Sequence, residues 1–361
     1  MTATDFAAHP ATVAEVEALG VRIDVRVRSE ISESGRRLIR DAWRDCRGGS
    51  TTDPLRRTLE LPASMFDDLE RGLSDLSTQV TLEALQALRG TRLLLHAAAV
   101  ATDDGRVIAF IGPSGRGKTT AARHLGTHFA YVSDESVAVD DDLAVTAYRK
   151  PLSVITDGHA HKKQIAPSAF GLRPLPDAPL HLVGMTLIER RPDTDAIGLL
   201  PVDTIDAICE MTPQISYLAE MPSPLQHLAR VFDAVGAPSR LVYRDATELP
   251  ALVDEMFTSV PVPAPTWTVP SPASGDGSWK VAPVDDAIIV DGRACILRDG
   301  VVTALDQRGR LAWCLAREGA TTQQIVDAAV EEFGVPPEGS ALALIEQTLE
   351  DLRAHGLLGS A

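Results

Sequence analysis

Gly112-Pro-Ser-Gly-Arg-Gly-Lys-Thr119 fits the pattern GxxxxGK[ST], and its setting decides the fold. The apolar run Arg106–Ile111 before it reads as a strand, and Thr119–His128 after it reads as a helix. In a strand–loop–helix of this kind, successive backbone N–H groups form a concave cradle, and the helix points its positive end at an anion. Gly115 and Gly117 admit positive φ and close approach. Lys118 is placed to reach β and γ phosphoryl oxygens, and the Thr119 hydroxyl to bind Mg²⁺. The stretch therefore predicts a nucleoside triphosphate held by Gly112, Pro113, Ser114, Gly115, Arg116, Gly117, Lys118, Thr119 and Thr120.

Such a loop needs a carboxylate for Mg²⁺ and, for transfer to a hydroxyl, a base near that hydroxyl. Asp134-Glu135 follows the strand Phe129–Val132, 14 residues after Thr120. One helix and a short turn fill that interval, so the acid pair returns beside the loop. Most P-loop ATPases place their acidic strand much later, so the spacing separates classes. Upstream, His96 interrupts an apolar strand read over Arg92–Thr102, with the Asp103-Asp-Gly105 turn leading back to Arg106–Ile111. A histidine there is either a satisfied core residue or part of the site. Arg149-Lys150-Pro151 lies downstream of the acid pair, where a cation can clamp phosphoryl oxygens or simply end a solvated hairpin. The loop Asp157–Lys163 is basic in an acidic protein and covers the same site or the surface.

Taken together, Leu95-His-Ala-Ala-Ala-Val100, Ile111–Thr120 and Tyr131-Val-Ser-Asp-Glu135 resemble the HPr kinase/phosphorylase-like family of P-loop serine kinases, related to phosphoenolpyruvate carboxykinase. The resemblance covers about 75–165 and implies ATP and Mg²⁺ as cofactors. It implies Asp134 as base toward the acceptor hydroxyl, Glu135 with Thr119 at the metal, and His96, Lys118 and Lys150 as further catalytic residues. Glu135 departs from the family's second acid, and the family's C-terminal signature is absent from 200–258.

The chain has 361 residues, with 50 Asp and Glu against 34 Lys and Arg. A net charge of −16 argues against a nucleic-acid binder and against an anionic membrane surface. The longest apolar stretch, Leu93–Ala101, is nine residues long and too short to span a bilayer. The first residues lack the basic and apolar blocks of a signal peptide, which predicts a cytoplasmic protein. Cys46, Cys209, Cys295 and Cys314 form no CxxC pair, so no zinc or disulfide framework is expected.

Pro261–Lys280 carries five prolines and reads as an extended tether. Four segments follow: an N-terminal α+β region at 1–90, a P-loop domain at 91–260, the linker at 261–280, and a module at 281–361. In the first segment, Val21–Val27 and Thr58–Leu61 read as strands, and Ser34–Arg47 and Gln79–Leu88 as helices. Val137–Val139 and Leu143–Tyr148 read as a hairpin. In the module, Ala287–Val290, Cys295–Leu297 and Val301–Leu305 are strands joined by Asp291-Gly292 and Asp299-Gly300, with helices at Arg308–Arg317, Thr322–Phe333 and Ala341–His355. Three strands and three helices predict a winged-helix-like α+β fold beside the α/β P-loop domain.

Thirteen acidic against six basic residues at 281–361 disfavour DNA for this module. Leu305-Asp306, Ala312-Trp313, Thr321–Phe333 and Leu349–Leu357 resemble the PqqD-like family of precursor-peptide recognition domains. That resemblance implies a leader peptide adding as a strand along Val301, Val302, Thr303, Ala304 and Leu305 beside the last helix. The expected activity is an ATP-dependent kinase acting on a Ser or Thr hydroxyl of a precursor peptide, with a homo-oligomer left open. A non-catalytic ATP-gated chaperone, or a small-molecule kinase with a structural C-terminal module, fits the same residues.

Overall fold

The computed structural model describes residues 11–28, 31–46, 55–154, 162–273 and 279–360. It is a mixed α/β protein with several sheets and, among the described residues, nine α-helices. Two compact units divide the chain: Met1–Leu200 with Gln214–Tyr217 and Ser239–Val260, and Pro201–Pro213 with Leu218–Pro238 and Pro261–Ala361.

In the first unit, the alternation Val21, Ile23, Val25, Val27 is fully expressed: all four side chains are buried. Their strand, Val21–Arg28, lies between Ala11–Ala18, antiparallel, and Leu55–Pro62, parallel. The helices Glu33–Ala42 and Leu69–Ala87 pack Ile39, Leu76 and Val80 into the same core. The second helix starts ten residues before the expected Gln79, because Asp68 accepts the Arg71 N–H at 3.1 Å and caps it there. Arg47, at the end of the first expected helix, lies outside the described residues, as do 157–161 of the basic loop.

The central sheet has six strands in the order Gly198–Pro201, Ser239–Tyr243, His181–Arg190, Arg106–Ile111, Ala97–Ala101, Ala130–Ser133. Three of them run parallel, and Ala97–Ala101 is antiparallel to both its neighbours. Burial on both faces explains why Ala97–Ala101 and Val107–Ile111 are unbroken apolar runs. The strand expected over Arg92–Thr102 is in fact two. Leu93–Leu95 pairs with Val137–Val139 and Ile215–Ser216 in a smaller sheet, and Ala97–Ala101 joins the central one. At the break the His96 N–H donates to the Gln214 carbonyl at 2.7 Å, and the Ala97 N–H to the Glu135 carbonyl at 3.1 Å. The expected strand Leu143–Tyr148 shortens to Val145–Thr146, since the Tyr148 N–H turns to the Val132 carbonyl.

In the second unit, Trp267–Thr268, Asp286–Val290, Arg293–Arg298 and Val301–Leu305 form an antiparallel sheet in that order. Both Asp-Gly turns carry positive φ at both residues, which matches the twist of tight hairpins. On one face Ala294, Ile296 and Leu305 meet Trp313, Ile345, Leu349 and Leu352 from the helices Gln307–Arg317 and Ala341–Ala354, with Thr322–Phe333 beside them. The other face is covered by Thr204–Met211 and Pro224–Val235, two helices from the middle of the chain. The unit is therefore larger than the expected 281–361. The proline-rich stretch is not a free tether either: Trp267 pairs with Val290, and its indole donates to Asp233 at 2.9 Å.

Asp286 ties this second face together. Its carboxylate is buried and accepts the Leu225 N–H at 2.7 Å, the Gln226 N–H at 3.1 Å and the Gln226 amide at 2.7 Å. A negative charge on the orphan N–H groups of a helix start is stabilising. Asp286→Ala is expected to cost about 2 kcal/mol, because it leaves those buried donors unpaired. Urea unfolding followed by tryptophan fluorescence reads this directly, and an unchanged midpoint would contradict the assigned cap.

Candidate active site

The glycine-rich loop follows strand Arg106–Ile111 and ends in the helix Lys118–Leu125, which starts one residue before the expected Thr119 and stops three residues before the expected His128. Gly117 is the helix cap at φ +89°, and a Cβ built there would lie 2.8 Å from the Tyr243 hydroxyl. Gly115, at φ +85°, faces open space. Pro113, Ser114, Gly115, Arg116 and Thr120 are exposed, whereas Gly112 and Lys118 are buried. Lys118 folds back across the loop, its Nζ donating to the carbonyls of Gly112 and, at 3.2 Å, Pro113. Burial pulls its pKa down, and Glu135 and Asp134 oppose that.

The acid pair sits in the turn after Ala130–Ser133. Ser133 shapes that turn, its Oγ accepting the Glu135 N–H at 3.2 Å and the Ser136 N–H at 3.1 Å. Asp134 is buried and accepts the Tyr131 hydroxyl at 3.0 Å. Lys150, 4% exposed, places Nζ 2.8 Å from Glu135 Oε2 and 3.8 Å from Asp134 Oδ1. Burial alone would lower its pKa; the two carboxylates outweigh burial and raise it, so the ammonium stays charged. Its neighbour Arg149 turns elsewhere, donating to the Tyr131 and Arg173 carbonyls.

His96 enters the same cluster because the chain changes sheets there. Burial and the charge on Lys118 lower its pKa, against the opposing pull of Glu135 and Asp134, which keeps the imidazole neutral. The structure thus brings Lys118, His96, Asp134, Glu135 and Lys150 together at the loop, with Thr119 in the first turn of its helix. Val301–Leu305 belongs to the other unit, as the last strand of its sheet. Val301 is 63% exposed, and among the described residues no strand pairs with its outer edge.

Two residues beside the loop went unread in the sequence. Glu189 is the last residue but one of the strand His181–Arg190, which runs parallel to the strand entering the loop. Its carboxylate accepts Arg191 at 2.8 Å, and Arg116 and Arg240 at 3.2 Å each. These cations, Arg191 foremost, hold its carboxyl below the usual range. The signal was present, an apolar strand Leu182–Ile188 closing on an acid. Tyr243 left no such signal: its hydroxyl is buried against Gly117 without a hydrogen-bond partner.

Fold and site together define a two-unit α/β protein in which a glycine-rich loop at a helix start meets a carboxylate pair, a buried lysine and a neutral histidine. No family model matches the chain. No curated protein matches it. A solved structure, TbiB1 in complex with the TbiA(beta) leader peptide, is similar over 23% of this chain and 93% of its own, at 29% identity and a TM-score of 0.17. Among the described residues no helix is long and apolar enough to cross a membrane.

Proposed function

We propose that the chain is an ATP-dependent kinase of the HPr kinase/phosphoenolpyruvate carboxykinase type that phosphorylates a Ser or Thr hydroxyl of a precursor peptide, the leader of which is captured by the second unit. The observation that carries this reading is the convergence of Lys118, Asp134, Glu135, Lys150 and His96 on one loop. The residues fit Mg·ATP. The helix start offers unpaired N–H groups, Gly115 and Gly117 hold the positive φ that close backbone approach requires, and a lysine stands inside the loop. Glu135 and Thr119 would hold Mg²⁺, a cation content with one or two protein oxygens plus phosphates and water.

Bound Mg·ATP supplies the phosphoryl group and neutralises charge on it. Lys118 exchanges its hold on the Gly112 carbonyl for phosphoryl oxygens. Asp134, oriented by the Tyr131 hydroxyl, accepts the proton of the acceptor hydroxyl at a carboxylate oxygen. Lys150 balances the two carboxylates and stands ready to meet charge on the transferring group. His96, neutral, precedes the Ala97 N–H that holds the Glu135 carbonyl and adds no second cation beside Lys118.

The open edge of Val301–Leu305 suits strand addition, in which backbone bonds give affinity and alternate side chains give specificity. The Asp299-Gly300 turn makes Arg298–Val301 a hydrogen-bonded pair, and by alternation the Ala304 N–H faces the outer edge. Ala304→Pro in the full chain is expected to raise the KM for a leader-bearing peptide by about tenfold with kcat little changed, since the lost binding is remote from the chemistry. A leader-free peptide should not distinguish the variant from the parent. Equal KM values for the leader-bearing peptide would remove this strand from the reading. The kinase itself is tested by phosphoryl transfer from Mg·ATP to such a peptide.

A further inference from the structure

Thr120, Arg123, His124 and Thr127 recur at helical spacing and share one face of the loop's helix and its end. With Phe170, Leu172 and Ala246 they line a cleft of about 300 Å³. The cleft begins at Thr120, one residue past the end of the glycine-rich pattern, and its far wall includes Ala246, three residues beyond the Tyr243 that abuts Gly117. At a rise of ~1.5 Å per residue, Thr120 to Thr127 spans about 10 Å, room for a ribose and a base. Its surfaces are of two kinds. Phe170 offers an aromatic ring with the Arg123 guanidinium 4.9 Å from its centroid, and Leu172 an apolar floor. The rim carries hydroxyls and an imidazole from Thr120, Thr127 and His124.

A phosphate chain seated on Gly112–Thr119 must leave the loop somewhere, and its organic end needs a planar apolar surface bounded by a few polar groups. We propose that this cleft seats the nucleoside of the bound nucleotide, with the base packed against Phe170 and Arg123. The proposal rests on the nucleotide reading above and adds where the nucleoside lies and what recognises it. Stacking on an aromatic ring and a guanidinium plane tolerates any base, so selection between purines falls to the polar rim.

The test compares two probes on the full chain by calorimetry, Mg·ATP and Mg·tripolyphosphate, the second having phosphates but no nucleoside. The parent chain should bind both, ATP the more tightly. Phe170→Ala should weaken ATP by about tenfold and leave tripolyphosphate within about twofold. Because Phe170 is half-buried, Thr127→Trp serves as a second variant: an indole at this exposed position fills the cleft and should weaken ATP alone. ATP affinity unchanged in both variants, or ATP and tripolyphosphate weakened together in Thr127→Trp, would overturn the nucleoside site while leaving the loop as a phosphate cradle. A parent chain that binds neither probe would overturn the loop reading and this one with it.

Discussion

Asp134→Asn should lower kcat by about 10³-fold or more while Mg·ATP affinity stays within about twofold. The asparagine keeps the shape and still accepts the Tyr131 hydroxyl through its amide oxygen, so the turn survives. What it loses is the ability to take a proton. Lys150 keeps its shorter bond to Glu135, at 2.8 Å, so its charge remains partnered. Initial rates and an ATP titration on the same preparation separate chemistry from binding. Turnover near that of the parent would mean that another group is the base, and loss of ATP binding would mean that Asp134 serves the metal.

Lys118→Ala should abolish stabilisation by Mg·ATP. A ligand at 100 times its Kd adds about 2.7 kcal/mol to the folded state, an effect the parent should show as a raised Tm and the variant should lack. Without nucleotide the two Tm values should nearly coincide. The lysine donates to the Gly112 and Pro113 carbonyls, which favours the fold, but it carries a charge that burial penalises. Removing both contributions leaves a small difference. A variant stabilised by Mg·ATP as well as the parent would remove the loop from nucleotide binding.

Local sequence carried the parts of this molecule that local physics determines. Gly112–Thr119 had to be a loop between a strand and a helix, because apolar periodicity ends at Ile111 and two glycines at positive φ admit the turn. Asp291-Gly292 and Asp299-Gly300 had to be tight hairpins for the same kind of reason. The acid pair was placed by chain length alone: the interval from Thr120 holds only one helix and a return strand.

What escaped was set by partners distant in sequence. Nothing between Leu93 and Ala101 announces a break at His96, since the Gln214 carbonyl that takes its N–H lies far along the chain. That break sets His96 next to the Ala97 N–H that holds the Glu135 carbonyl. Thr204–Met211 and Pro224–Val235 read as part of the P-loop segment, yet they bury their apolar faces on the sheet of the second unit, where Asp286 caps one and Arg293 pairs with Asp203 and Asp206 at 2.8 Å. A cut at residue 260 would therefore strip these helices of their sheet, and the contribution of the second unit is better probed by substitutions in the full chain.

The most direct measurement is mass spectrometry of a short Ser- and Thr-bearing peptide that the full chain retains through its leader, incubated with Mg·ATP and the parent or Asp134→Asn chain. The parent should add one phosphoryl group to the peptide and release one ADP for each, and the variant should add none while binding nucleotide and peptide as before. A peptide held by the parent chain together with Mg·ATP, yet recovered with its mass unchanged, would contradict the kinase and leave the chain as a nucleotide-gated carrier of peptides.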